Sequence, residues 1–374
     1  MTCSTVFVAV IVSLPFLSIM ATNPPSTCPC SDQSLCDPVT RKPAKEVFVF
    51  SVGGKNWKKY DWSKVTSIVM FNDYDAELMC YAHSKQVKVL LKGDFPVANL
   101  TDIKARENWL LDKLRKAADW HMDGINLDIE QPINDSSIQQ KLLTDLVEQT
   151  TKAFHVQNPH SQVTYDVAWS PDCIDGRCYN YKAIADAVDF VFVMSYDEQS
   201  QIFGPCIGMA NSPYNKTVKG VEKYLEMGIP ANKLVLGVPW YGYNYPCLNV
   251  TEHDVCYIPK VPFRGANCSD AAGKQKDYSE INRLIQNSTT GRKWNDEYKA
   301  PYFNYKDSKQ VYQVWYDDPQ SLKLRYDYAE SKKLLGVGMW HADALDYSDD
   351  KMAQKQTKEM WDALPHQSHG VTLE

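Results

Sequence analysis

Short runs of β-branched and aromatic residues recur along the chain, at positions 47–53, 67–72, 88–94 and 124–130 in the first half. The second half repeats them at 163–170, 190–197, 234–241 and 336–340. Their near-continuous apolar character is what strands covered on both faces require, so the eight runs predict a parallel sheet. Helical periodicity separates several of them. Leu110, Leu114 and Ala117 share a face before the fourth run, and Ile138, Leu142, Leu146, Ala153 and Phe154 share one after it. After the sixth run Val218, Val221 and Leu225 do the same, with Gly228 placed to end that helix. Strands alternating with helices predict an α/β protein, a (β/α)8 TIM barrel, with a doubly wound open sheet as the alternative. The gap between Leu234 and Gly336 is roughly 100 residues, far more than one crossover helix needs. With a helix over 321–335 set aside, an α+β insertion after strand seven is expected at about 244–317, rich in Tyr and carrying three cysteines.

Composition narrows the class. The chain has 374 residues, 40 basic against 46 acidic side chains, and 44% hydrophobic residues. That balance suits a globular protein and lacks the concentrated basic face that nucleic acid demands. Residues 6–20 form an apolar run closed by prolines, the pattern of a signal peptide over 1–22 and too short for a membrane span. Residues 23–46 then read as a Cys- and Pro-rich leader, and 47–374 as the barrel. Of the 11 cysteines Cys3 falls in the signal, which leaves an even number for disulfides in an oxidising lumen. A metal site is the rival reading, but no C-x-x-C pair and no close His partner is present. Sequons at Asn99, Asn134, Asn215, Asn249, Asn267 and Asn287 carry the same message of a secreted or lumenal glycoprotein.

In the fourth run, D-G-I-N-L-D-I-E, side chains alternate faces, so Asn126, Asp128 and Glu130 point the same way, which in a barrel is inward. Two acids aimed into a low-dielectric interior are costly, so function explains them better than a structural ion-pair network does. Glu130 falls at the strand's carboxyl end, the rim where barrel enzymes keep their catalytic groups. Other strand ends bring Asn72, Asp73, Tyr74, Trp169, Tyr196, Asp197, Trp240, Tyr241 and Trp340 to that rim. Aromatic faces beside carboxylates and phenols suit a sugar, although Trp169 and Tyr241 taken alone read as packing residues.

These motifs resemble glycoside hydrolase family 18, the chitinase family. Its strand-four pattern D-x-x-D-x-D-x-E is matched at Asp123, Asp128 and Glu130, with Asn126 in the second acidic position. The strand-six pattern M-x-Y-D is matched by Met194, Tyr196 and Asp197, and the strand-eight Trp by Trp340. Within the family, stretches such as V-A-W-S-P, M-S-Y-D-E-Q-S-Q and K-V-P-F-R-G-A look most like the lysosomal branch that dismantles glycoproteins. The resemblance implies a retaining glycosidase in which the substrate's own 2-acetamido oxygen is the nucleophile. Glu130 would be general acid and then base, Asp128 would orient the acetamide and Tyr196 would hydrogen-bond it. Asp197, Trp340, Asn126, Met194 and Trp240 would line the sugar site. No cofactor or metal is implied. The expected partner is an oligosaccharide containing N-acetylglucosamine, from the chitobiose core of N-glycans; nucleic acid, membrane and a second subunit are not expected. A secreted chitinase and a catalytically silent lectin are the alternatives, the lectin disfavoured because Glu130 is present. Two departures stand out: Asn126 cannot ionise, and the S-x-G-G pattern common on the third strand is replaced by Leu91-Lys92-Gly93-Asp94.

Overall fold

A computed structural model describes residues 32–308 and 310–365. The expected signal, 1–22, lies outside the described residues, as do the leader's first residues. Eight parallel strands close into a barrel. They are β1 (Glu46–Ser51), β2 (Ser67–Met70), β3 (Lys88–Gly93), β4 (Gly124–Leu127), β5 (Gln162–Ala168), β6 (Phe190–Met194), β7 (Leu234–Pro239) and an eighth, Gly336–Trp340, which pairs with both β7 and β1. All eight coincide with the apolar runs. Helices α1 (Ala76–Ser84), α2 (Ile103–Asp119), α3 (Ile138–Gln157), α4 (Tyr181–Ala187), α5 (Tyr214–Glu226) and α7 (Pro319–Ser331) connect strands, with α6 (Tyr278–Leu284) between β7 and the eighth strand and α8 (Lys351–Asp362) after it.

Alternation along the strands divides the core in two. Phe48, Phe50, Val69, Leu90, Phe190 and Phe192 fill the barrel interior, with Phe48 meeting Phe50 edge to face at 5.3 Å. Val47, Val49, Ile68, Val89, Val191 and Leu236 point outward and pack under the helices. Burial on both faces is why these strands read as continuous apolar runs. Gly124 opens β4 at φ +154°, where a Cβ would lie 1.9 Å from the Gln162 carbonyl oxygen, so only glycine fits. Gly228 ends the α5 turn at φ +83°, as expected of a left-handed cap.

Two boundaries and one face assignment differ from the sequence pattern. The β4 ladder stops at Leu127, which leaves Asp128 and Glu130 in the loop at its carboxyl end. The helix expected over 321–335 runs from Pro319 to Ser331, because Asp318 and Ser321 form a capping box with Pro in the first turn. Ile138, in the first turn of α3, is exposed rather than on the packed face.

After β7 the chain leaves the barrel. Tyr241–Cys247, Lys274–Asp277, Lys293–Asn295, Ala300–Lys306 and Val311–Trp315 form a five-stranded antiparallel sheet that starts three residues before the expected insertion. Disulfides join Cys173 to Cys178, Cys206 to Cys268 and Cys247 to Cys256, and Cys36 and Cys80 are also disulfide-bonded. Among the described residues no helix is long and apolar enough to cross a membrane.

Candidate active site

At the carboxyl ends of the strands lies a cavity of about 250 Å3, lined by Asp128, Glu130, Asp166, Met194, Tyr196 and Asp197. Phe71, Tyr241, Gln275 and Trp340 complete its wall. At roughly 30 Å3 of liquid per water this holds about eight waters, the room of a single substituted sugar ring.

Asp128 is nearly buried beside Lys92, whose Nζ stands 3.6 Å from its Oδ2 and 4.0 Å over the Phe71 ring. Burial, and then the charge of Glu130, push its carboxyl up to about 7 against the pull of Lys92. Glu130 is half exposed, its Oε2 receiving the Arg177 guanidinium at 2.7 Å. Arg177 itself is buried and comes from the loop after β5. Left-handed residues Cys173, Asp175 and Gly176 shape that loop and the Cys173–Cys178 disulfide closes it. Arg177 Nη2 also meets Asp175 at 3.4 Å.

β6 runs into the opposite wall. Met194 and Tyr196 continue its inward face after Phe190 and Phe192, and burial pushes the Tyr196 phenol far up, so it stays a neutral donor. Asp197 takes φ +49°, a conformation rare outside glycine, and its N–H donates to Asn211 Oδ1 at 2.7 Å. Its Oδ1 accepts from Tyr241 at 2.5 Å and from Tyr243 at 2.8 Å, two bonds that partly offset the rise burial causes in its pKa. Trp340 closes one side, edge to face with Phe71 at 4.5 Å and Phe50 at 5.4 Å.

Two expected sugar contacts are corrected. Trp240 is fully buried against Trp361 at 5.2 Å, because the two-residue period that sends Tyr241 into the cavity sends its neighbour toward the helices. Asn126 is also fully buried, beneath the cavity, donating to Thr164 Oγ1 at 3.0 Å and Asp166 Oδ1 at 2.8 Å. Tyr241, read alone as packing, instead lines the cavity. Trp169 lies outside it, under the Lys216 ammonium at 5.7 Å. Asp123, the first acid of the strand-four motif, sits at the opposite end of β4 and binds His83 Nε2 at 2.9 Å, the Val39 N–H at 2.7 Å and the Val89 N–H at 2.8 Å. Asp166, Arg177 and Gln275 were not anticipated. Asp166 had a signal, since a lone acid two residues after Thr164 in an apolar strand must point inward with it. Arg177 and Gln275 come from connecting segments that no strand pattern reaches.

A family model described as glycosyl hydrolases family 18 matches residues 40–344. The chain belongs to glycosyl hydrolase family 18. It is a glycoside hydrolase, and it is 54% identical over 353 residues to a di-N-acetylchitobiase from Mus musculus, covering 94% of this chain and 96% of the relative. The Homo sapiens di-N-acetylchitobiase is 54% identical over 338 residues, covering 90% of this chain and 88% of the relative. Among solved structures, a class V chitinase from Nicotiana tobaccum in complex with NAG4 superposes with a TM-score of 0.67 at 20% identity. That match covers 85% of this chain and 99% of the other, and shows the shared barrel.

Proposed function

We propose that this family 18 enzyme is a retaining, substrate-assisted glycosidase that cleaves the GlcNAc-β-1,4-GlcNAc linkage of N-glycan core fragments during glycoprotein breakdown. The observation that carries this reading is the single-sugar cavity in which Asp128, Glu130 and Tyr196 converge beside Trp340. The near full-length likeness to di-N-acetylchitobiases supports the choice of bond.

One N-acetylglucosamine lies against Trp340 with its acetamide toward Asp128 and Tyr196 and a hydroxyl on Asp197. Glu130 leaves Arg177, takes up a proton from solvent and delivers it to the glycosidic oxygen as the bond to the anomeric carbon breaks. The acetamide carbonyl oxygen closes onto that carbon, giving an oxazolinium whose positive charge Asp128 faces while accepting the acetamide N–H. Tyr196 donates its hydroxyl to the acetamide oxygen and fixes its line of approach. Glu130, now a carboxylate, takes a proton from water as the water opens the ring from the face the leaving group left. Two inversions give net retention.

The enzyme is read as a soluble monomer of the lysosome lumen, with secretion as the other destination. All six sequon asparagines are exposed, which supports glycan attachment at each. The sheet after β7 is read as a wall of the sugar groove, since Tyr241 and Gln275 reach the cavity from it. A β-linked substrate with hydroxyl in place of the 2-acetamido group tests the mechanism. Its hydrolysis should be at least about a thousandfold slower, and comparable rates for the two would overturn the substrate-assisted reading.

A further inference from the structure

An amide at position 126 deprives Asp128 of an ionisable neighbour on its own strand, yet a carboxyl reaches the same place from the next one. β3, β4 and β5 pair in parallel with Lys92 opposite Asn126 and Asn126 opposite Thr164, so these three side chains form one layer across the barrel. Two residues on, Asp128 just past the end of β4 and Asp166 on β5 continue that inward face. Asp166 is only 4% exposed but lines the cavity together with Asp128 and Glu130. Asn126 is the hinge of the arrangement. Its Nδ2 holds Asp166 Oδ1 at 2.8 Å, which fixes the carboxyl, while its own Oδ1 is buried with no donor. A buried acceptor without a partner is costly, and a protonated carboxyl is the kind of group that satisfies it.

We propose that Asp166 takes the place of the absent motif acid, holding one proton jointly with Asp128 and so keeping Asp128 an anion toward the positively charged intermediate. Asp166 is a positioning residue, acting through Asp128. Two carboxylates in a dry site cannot both ionise freely, so the pair titrates as a unit and its singly protonated form spans a wide pH range. Burial and then the charge of Asp128 drive Asp166 far above the usual carboxylate range, so the pair keeps a proton where isolated carboxylates would not. The groups facing the pair are Lys92 from β3, Glu130 after β4, Tyr196 after β6, and Tyr165 and Tyr179 behind Asp128. Lys92 is the lone cation of that set and already contacts Asp128. When the shared proton leaves, repulsion from Asp166 turns Asp128 toward Lys92 and away from the acetamide, and turnover falls. The proton moves only between carboxyl oxygens and is not consumed.

The proposal rests on the substrate-assisted reading above, and its test separates the two. Asp166→Asn keeps shape and hydrogen bonding and mimics a permanently protonated Asp166. With a free chitobiose-core oligosaccharide as substrate, the descending limb of kcat against pH should move up by about one pH unit. Asp166→Ala, which supplies neither proton nor hydrogen bond, should lower kcat about tenfold or more with little change in KM. Returning the acid to the neighbouring strand, as Asn126→Asp with Asp166→Asn, should bring the limb back toward the parent position. A purely structural role for Asp166 would leave the limb where it was and would not be rescued from another strand. An Asp166→Asn limb that coincides with the parent's, or a double variant whose limb stays displaced, overturns the proposal. Failure of the substrate-assisted reading would show separately, as equal cleavage of substrates with and without the acetamide by the parent enzyme.

Discussion

Glu130 has solvent on one side and the Arg177 guanidinium on the other, so the residue that must hand over a proton is held as half of an ion pair. Sugar binding has to exchange that partner for the glycosidic oxygen, beside the Asp128 carboxyl that burial pushes up to about 7. Replacing the acid while keeping its outline isolates the chemical step. Glu130→Gln should lower kcat by at least about a thousandfold while substrate affinity stays within about threefold, because general acid catalysis acts on the transition state and contributes little to ground-state binding. Rapid-quench turnover and calorimetric binding on one preparation check both halves, and retention of a tenth of the parent kcat would remove Glu130 from its role. At this scale the sequence was most informative where the two-residue period applied, giving Asp128 and Glu130 a common direction, and Met194 and Tyr196 another. It was silent on Arg177, whose approach depends on a disulfide-closed loop between β5 and α4.

Strand four shows how one element carries two unrelated tasks. Its carboxyl end presents Asp128 and Glu130, while its amino end is fixed by Asp123 with His83, both side chains 1% exposed, and by the N–H of Val39 from the leader. His83 Nδ1 in turn meets the Leu35 carbonyl at 2.8 Å, so the pair ties leader, α1 and β4 together. Removing one member of such a buried pair strands the other, so Asp123→Ala should cost about 3–5 kcal/mol in denaturant unfolding while KM of the surviving folded enzyme stays unchanged. A loss of less than about 1 kcal/mol would mean that the clasp holds nothing. Strand positions were legible because all eight are apolar on both faces. Face assignment failed at Trp240 because it follows the last residue of β7, where aromatic character alone does not say whether the side chain meets sugar or helix; Val238 and Trp240 share the outward side. The sheet after β7 left only a length and a Tyr-rich composition in the sequence, since its antiparallel pairings are set by contacts across 241–315.

Across the whole molecule, the buried acids predict a fold more stable in acid than at neutral pH. Burial pushes Asp270 up to about 7 and Glu198 to about 8, from ordinary values near 3.8 and 4.5. The folded state therefore binds these protons more tightly than the unfolded chain, a stabilisation complete below about pH 4 and lost as pH rises through 7 to 8. Surface carboxylates such as Asp346, held down by hydrogen bonds from Ser348, work in the opposite sense only below their ordinary range. Calorimetry should accordingly find a Tm several degrees higher at pH 5 than at pH 8, and an equal or higher Tm at pH 8 would contradict the charge states assigned to the interior. An enzyme most stable in acid fits a lysosomal setting, but the choice of bond is what the account stands on. The most direct measurement is mass spectrometry of products from a free N-glycan core oligosaccharide ending in GlcNAc-β-1,4-GlcNAc. The account predicts one released N-acetylglucosamine and a glycan shortened by that single residue; an intact glycan, or release of the whole disaccharide, would contradict it.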